Sequence, residues 1–168
     1  GLAMRVKRSE LDALKALPGV RRVYPDEVLH LDTSRSPAFI GATNLWTKVG
    51  GQKKAGAGIV VGVLDTGIWP EHPSFADPDP AGRAYPAPPV MLAGDSCQFA
   101  LGTNPGAPFT CNNKLIGARR FLDGYQAQIG FLPGELTSAR DDAGHGTHTA
   151  STVAGNGGVA ASILGTSF

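Results

Sequence analysis

The strongest constraint on the fold is a continuous apolar segment, residues 59–64 with the sequence IVVGVL, that ends at Asp65. An uninterrupted run rich in β-branched residues and bounded by glycines is typical of a strand buried on both faces of a parallel sheet, with helices on either side. In such sheets the ligand-binding groups lie just past the carboxyl ends of the strands. The segment therefore predicts an α/β fold with Asp65 at the edge where a site forms.

The residues Asp65-Thr66-Gly67 are compatible with three different roles for the carboxylate. Aspartic proteases present half of their carboxylate dyad in an Asp-Thr-Gly turn. An Asp at this place can instead orient a histidine. It can also simply cap a turn through the amides of Thr66 and Gly67. The rest of the sequence has to distinguish between these roles.

A second informative stretch, residues 141–156 with the sequence DDAGHGTHTASTVAGN, contains His145 between two glycines. Its small residues, followed by Gly-Asn, predict a tightly packed helix with His145 at the amino end. The flanking glycines leave room for another backbone or a substrate. An imidazole becomes a useful general base when a carboxylate holds one of its nitrogens, and Asp65 can supply that carboxylate.

A metal site is an alternative use of the same stretch. His145 and His148 are three residues apart and would share a helix face, with Asp141 or Asp142 as a further ligand. The spacing is weaker than that of established zinc motifs, and the sequence shows no further ligand set. We therefore interpret His148 as a buried structural histidine, and Asp141 and Asp142 as negative charge that stabilises a helix amino terminus.

The rest of the chain divides into segments of different composition. Residues 9–17 predict a short helix, and residues 4–6 and 20–24 predict strands beside it, which together suggest the end of a small α+β unit. Residues 29–36 are polar and predict an extended linker or cleavage site. Residues 42–49 predict a short helix. Many of the 23 glycines and 13 prolines fall within residues 76–134, which predicts a loop-rich insertion.

Cys97 and Cys111 both lie in this insertion. In an exported protein they predict a disulfide that stabilises the fold by roughly 3 kcal/mol through loop entropy. In a cytosolic protein they would be two free thiols. The sequence alone leaves both alternatives open.

Charge and hydropathy exclude two classes of partner. The 168 residues carry 15 basic and 14 acidic side chains, a net charge of +1, with no basic patch of the kind that nucleic-acid binding needs. No apolar run approaches the roughly 20 residues that span a bilayer. The first seven residues are too short and too charged to form a signal peptide.

Taken together, the two motifs resemble those of the subtilisin-type serine proteases, the subtilase family, and in particular its plant and large bacterial members. Residues 59–75 are similar to the family's catalytic Asp segment, and residues 144–155 to its catalytic His segment. The sequence CNNKLIGAR at 111–119 resembles a block that the larger members carry between the two. Residues 2–31 resemble the end of an inhibitory propeptide, and TSRSP at 33–37 resembles the start of a mature enzyme.

The resemblance implies an incomplete subtilisin-like peptidase domain over residues 32–168, preceded by the end of a propeptide domain over residues 1–31 and processed within 30–33. It implies that Asp65 orients His145, and that His145 is the general base for a serine nucleophile. It also implies export, protein or peptide substrates, inhibition by the chain's own propeptide, and no requirement for a metal or cofactor. The aspartic-protease interpretation would need a second Asp-Thr-Gly or a symmetric dimer of mostly β-structure, and it leaves the His145 segment unexplained.

The nucleophile and the oxyanion-stabilising Asn of the family are not visible. Ser167, in a Gly-Thr-Ser sequence, mimics the nucleophile turn, but it follows His145 too closely in the chain, so we predict that it is a loop residue. Because the triad acts as a unit, the polypeptide as given is predicted to be inactive. The alternative is a non-catalytic propeptide or pseudoenzyme fragment that binds a protease or assists its folding.

Overall fold

The computed structural model describes residues 2–25, 32–88, 96–163 and 166–167. The chain forms two compact units, Gly1–Gly41 and Ala42–Phe168. None of the helices in the described ranges is both long enough and apolar enough to cross a bilayer.

The first unit begins with a 3-10 turn, Arg8–Glu10, that continues into the short helix α1, Leu11–Lys15. The Lys7 amide donates to the Glu10 carboxylate at 3.3 Å, which satisfies one of the free amides at the start of the turn. Past the helix, Gly19 takes a left-handed conformation with a φ of 89°. The helix predicted over 9–17 is thus present over Leu11–Lys15, with a 3-10 turn before it.

Two other predictions for this unit are wrong. No strand forms among described residues 2–25, because the short segments 4–6 and 20–24 do not pair with a neighbour. The described part of the predicted linker is helical rather than extended, since α2 covers Asp32–Phe39 and contains Pro37. Polar side chains do not prevent a helix, and its backbone bonding continues to Ile40, whose amide donates to the Ser36 carbonyl at 3.0 Å. Residues 26–31, which include His30 and most of the predicted processing site, lie outside the described residues.

The second unit begins with α3, Ala42–Lys48, as predicted, followed by a 3-10 turn, Gln52–Lys54. Residues 59–64 then run without secondary structure toward Asp65, and they are exposed, with Ile59 at 71% and Leu64 at 88%. Among the described residues this segment therefore does not form the predicted strand buried on both faces. Burial requires neighbouring strands and covering helices, and none of the described residues supplies them for this segment.

Strand pairing in this unit is sparse in the described ranges. A parallel bridge joins Ile68 to Arg140, with the Ile68 amide donating to the Ala139 carbonyl at 3.1 Å and the Asp141 amide to the Ile68 carbonyl at 3.3 Å. A second parallel bridge joins Cys97 to Ala118. The short strands β1, Ser162–Ile163, and β2, Thr166–Ser167, pair antiparallel. The first bridge matters most, because it places the segment after Asp65 beside the segment before His145.

The insertion at 76–134 is rich in loops, as predicted, and the one α-helix in its described part is α4, Asp123–Gln128. Its core is Phe99, which is fully buried and meets Phe109 edge to face at 5.6 Å between ring centroids. A disulfide joins Cys97 to Cys111 next to this pair. The disulfide and the aromatic contact therefore both help to hold the irregular loop.

The predicted helix after residue 144 is confirmed as α5, His145–Ala154. Gly144 precedes it with a left-handed φ of 85°. At the other end, Gly155 is packed so closely that a Cβ there would lie 2.4 Å from the Ser151 carbonyl oxygen. The buried Asn156 then donates its side-chain amide to the carbonyls of Pro73 and Ala76, at 3.0 and 2.9 Å. These contacts fix the end of α5 to the turn that follows the Asp65 segment.

Candidate active site

Asp65 and His145 form the centre of the site. The Nδ1 atom of His145 lies 2.7 Å from Oδ1 of Asp65, and the same carboxylate oxygen accepts from the Thr66 amide at 2.8 Å. The hydrogen bond from His145, followed by the one from the Thr66 amide, holds the pKa of Asp65 below its usual value. The Asp65 side chain is 15% exposed, whereas that of His145 is 72% exposed. The structure therefore offers a covered, ionised carboxylate next to an accessible imidazole.

This pairing determines what the imidazole can do. A carboxylate at Nδ1 favours the tautomer that carries its proton there, so that Nε2 keeps a lone pair. Nε2 can then accept a proton from a nearby hydroxyl, and Asp65 stabilises the imidazolium that results. The geometry therefore allows His145 to accept a proton while Asp65 holds its ring.

Two glycines allow the segments to approach this closely. A Cβ on Gly146 would lie 2.2 Å from the carbonyl oxygen of Gly67, and a Cβ on Gly67 would lie 2.7 Å from the carbonyl oxygen of Arg140. Gly67 also has a φ of 128°, which side chains disfavour. The sequence predicted room for another backbone beside His145, and the structure identifies that backbone as Gly67.

Asp141 is a buried carboxylate between the two segments, with 4% of its surface exposed. Burial by itself would raise its pKa, but hydrogen bonds from Thr147, Gly144 and Thr66 outweigh burial and lower the pKa to about 2. The sequence assigned this residue only a weak charge effect at a helix terminus. The missed signal was a threonine directly after Asp65 and another shortly after His145, because a hydroxyl in a partly buried site needs an acceptor for its proton.

Arg140 connects the insertion to the segment after Asp65. Its guanidinium donates to both carboxylate oxygens of Glu71, at 2.9 and 2.5 Å, and its Nε donates to the Ala107 carbonyl at 2.7 Å. The hydrogen bonds from Arg140 lower the pKa of Glu71. The Arg140 guanidinium carbon also lies 5.1 Å from the ring centroid of Trp69 and 5.7 Å from that of Phe99. This contact set was not visible in the sequence, because its members are far apart along the chain.

The sequence was compared with models of known protein families. The model of the subtilase family matches residues 56–168, a range that contains both Asp65 and His145. The chain belongs to the subtilase family. Membership gives it an α/β fold of the subtilisin type.

Curated relatives extend the similarity over almost the whole chain. Subtilisin-like protease SBT2.1 of Arabidopsis thaliana is 39% identical over 98% of this chain and 19% of its own length. Subtilisin-like proteases SBT1.2 and SBT1.7 of the same plant are 39% and 41% identical, each over 98% of the chain and 21% of their own length. This subtilase chain thus spans about a fifth of the length of these relatives. No solved structure matches it significantly.

The alternative metal site finds no support in the geometry of this subtilase chain. In the described ranges no three His, Cys, Asp or Glu side chains come together in a way that could hold a metal ion. His145 uses Nδ1 for Asp65, and the oxygens of Asp141 accept hydrogen bonds from its neighbours. The prediction that His148 is buried is wrong. It is exposed, because it lies on the outer side of α5.

Ser167 is not brought to the site. It lies in β2, opposite Ser162, rather than in the loop that the sequence predicted. Among the described residues no hydrogen bond joins it to His145. The structure thus brings together Asp65 and His145, links Cys97 to Cys111, and leaves Ser167 apart from the Asp65–His145 pair.

Proposed function

We propose that the protein containing this chain is a secreted serine endopeptidase in which Asp65 orients His145 and His145 is the general base. The main support for the proposal is the 2.7 Å contact between His145 Nδ1 and Asp65 Oδ1. Both residues lie in the range that matches the subtilase family. The nucleophile is a serine other than Ser167, supplied by the part of the protein outside this chain. The greater length of the curated relatives supports this assignment.

The reaction follows from the tautomer that Asp65 selects. His145 Nε2 takes the hydroxyl proton of the serine as its oxygen attacks the peptide carbonyl. The imidazolium, stabilised by Asp65, then gives this proton to the leaving amine, which departs and leaves an acyl-enzyme. Water enters and loses a proton to Nε2 as its oxygen attacks the acyl carbonyl. The imidazolium then returns this proton to the serine oxygen as the carboxylic acid product leaves, which restores the free enzyme. None of these steps uses a metal or an organic cofactor.

We also propose the finer organisation of the precursor. Residues 1–31 are the carboxyl-terminal part of an inhibitory propeptide, and residues 32–168 are the front part of the peptidase domain. The family model begins at residue 56, whereas the curated relatives match 98% or more of this chain in several cases, which supports a precursor-type segment before the peptidase domain. In the complete domain, residues 59–64 form a strand of a parallel sheet. Their exposed apolar side chains support this role.

The test compares hydrolysis of a labelled, unfolded protein by the full-length gene product and by two variants, Asp65→Asn and His145→Ala. We expect each change to lower kcat by roughly 10⁴-fold, because the tautomer or the base is lost. His148→Ala is the matched control. It removes an exposed histidine one turn along the same helix and should leave hydrolysis unchanged.

A covalent probe identifies the nucleophile in the same samples. A fluorophosphonate should label one serine, and peptide mass spectrometry should show that this serine is not Ser167. The labelling should be lost in His145→Ala. Full hydrolysis by His145→Ala, or labelling at Ser167, would contradict the proposed assignment.

A further inference from the structure

The carboxylate of Asp141 accepts hydrogen bonds from both segments that carry the Asp65–His145 pair. From the first segment comes the hydroxyl of Thr66, at 2.9 Å to Oδ1. From the second come the amides of Ala143 and Gly144 to Oδ1, at 3.1 and 2.8 Å, and the amide and hydroxyl of Thr147 to Oδ2, at 2.8 and 2.6 Å. One buried side chain thus contacts the neighbours of both members of the pair.

The two threonines join the segments in a reciprocal way. Thr66 follows Asp65, and its hydroxyl oxygen accepts from the amide of Gly146 at 2.9 Å. Thr147 follows Gly146, and its hydroxyl oxygen accepts from the amide of Trp69 at 2.9 Å. Each hydroxyl therefore donates its single proton to Asp141 and accepts a hydrogen bond from a backbone amide of the opposite segment.

The charge of Asp141 fixes the direction of these bonds. An ionised carboxylate only accepts, so both threonine protons must point to it, and both hydroxyl oxygens are left to accept from the opposite amides. An asparagine of the same shape cannot do this in either orientation. Its NH₂ group would face the donors on Thr147 or the amides of Ala143 and Gly144, and these donors would lose the buried acceptor that Asp141 provides.

We propose that Asp141 is a positioning residue that, through Thr66 and Thr147, sets the distance and orientation between Asp65 and His145. The inference rests on the proposed function for its role in hydrolysis. Asp141 does not contact the reacting atoms in the described structure. It acts through the hydroxyl of Thr66, next to Asp65, and through the first turn of α5, whose first residue is His145.

The experiment uses the full-length gene product with ¹⁵N-labelled histidine and follows the tautomer of His145 together with kcat and KM. In the wild type, the low-field Nδ1–H resonance and the ¹⁵N shifts should report the Nδ1–H tautomer, with Asp65→Asn as the assignment reference. In Asp141→Asn we expect this resonance to be lost and kcat to fall roughly 10²-fold, with KM nearly unchanged, because the pair is misaligned. Asp142→Asn removes the same charge one residue away, at an exposed site, and should retain both readouts.

A second pair of variants keeps the test decisive if Asp141→Asn fails to fold. Thr66→Val removes the hydroxyl with little change in shape and should lose the resonance, whereas Thr66→Ser keeps the hydroxyl and should retain it. A folded Asp141→Asn or Thr66→Val protein with a wild-type resonance and wild-type kcat would overturn the inference. If the wild type does not hydrolyse protein, the proposed function fails, but the resonance still decides whether Asp141 positions the pair.

Discussion

Gly146 lies directly against Gly67, so that a Cβ on Gly146 would stand 2.2 Å from the Gly67 carbonyl oxygen. This approach lets the Gly146 amide reach the hydroxyl of Thr66, and it places the first residue of α5 beside Asp65. No side chain fits between the two backbones. The distance between Asp65 and His145 therefore depends on glycine at this position.

We expect Gly146→Ala to separate the two segments. The methyl group meets a backbone atom that cannot rotate away, so the free energy of unfolding should fall by about 1–3 kcal/mol, as in other overpacked cores. Denaturant unfolding monitored by circular dichroism gives this value, and the hydrolysis assay of the full-length protein should show a matching loss of kcat.

Gly124→Ala is the matched control for this change. Gly124 also lies in a helix, α4, but a Cβ there has no atom within 4 Å. We expect it to be neutral or stabilising by about 0.5–1 kcal/mol, since alanine favours the helix. Equal stability of the Gly146→Ala variant and the wild type would show that the two segments can separate without loss.

Asp141 should govern part of the stability at acid pH. Its pKa is about 2 in the folded protein, below the ordinary value of 3.8, so its ionised form stabilises the fold. This contribution is present above about pH 4 and is lost as the pH falls toward about 2. We expect the wild type to lose about 2 kcal/mol more than Asp141→Asn over this interval. Unfolding curves recorded at several pH values measure the difference, and parallel pH dependence of the two proteins would rule the contribution out.

Glu71 should stabilise the second unit through the buried guanidinium of Arg140. Glu71→Gln keeps the shape but removes the charge that the Arg140 side chain, 1% exposed, contacts. We expect unfolding to become easier by about 2 kcal/mol, because a buried charge loses its charged partner. Asp123→Asn breaks an exposed ion pair at 3.7 Å with Arg120 and should change stability by less than about 0.5 kcal/mol. Similar effects of the two substitutions in chemical unfolding would contradict the structural role of Glu71.

The disulfide between Cys97 and Cys111 should stabilise the insertion by limiting the unfolded chain. We expect the double variant Cys97→Ser, Cys111→Ser to lose roughly 3 kcal/mol, the value for a loop of about this length. Thermal unfolding of the wild type with and without reductant, beside the double variant, measures this loss. If the reduced wild type and the double variant are as stable as the oxidised protein, Phe99 and Arg140 hold the loop without the covalent link.

The amino-acid sequence was sufficient to predict the local features. The helix α5, with His145 at its start, follows from small residues between glycines, and α1 and α3 follow from their short helical patterns. The order of the Asp65 and His145 motifs was sufficient to indicate the family. These features depend on residues that are close together in the chain, which is why the pattern alone identifies them.

The contacts between residues that are distant in the chain could be identified only from the folded structure. Asp141 with Thr66, Arg140 with Glu71, and Gly146 with Gly67 are joined by contacts that no local pattern encodes. Residues 59–64 show that a local pattern can also predict burial that the described structure does not contain, because these apolar side chains are exposed. The hydrophobicity of a segment indicates that it can be buried. Whether it is buried depends on which other segments the fold places beside it.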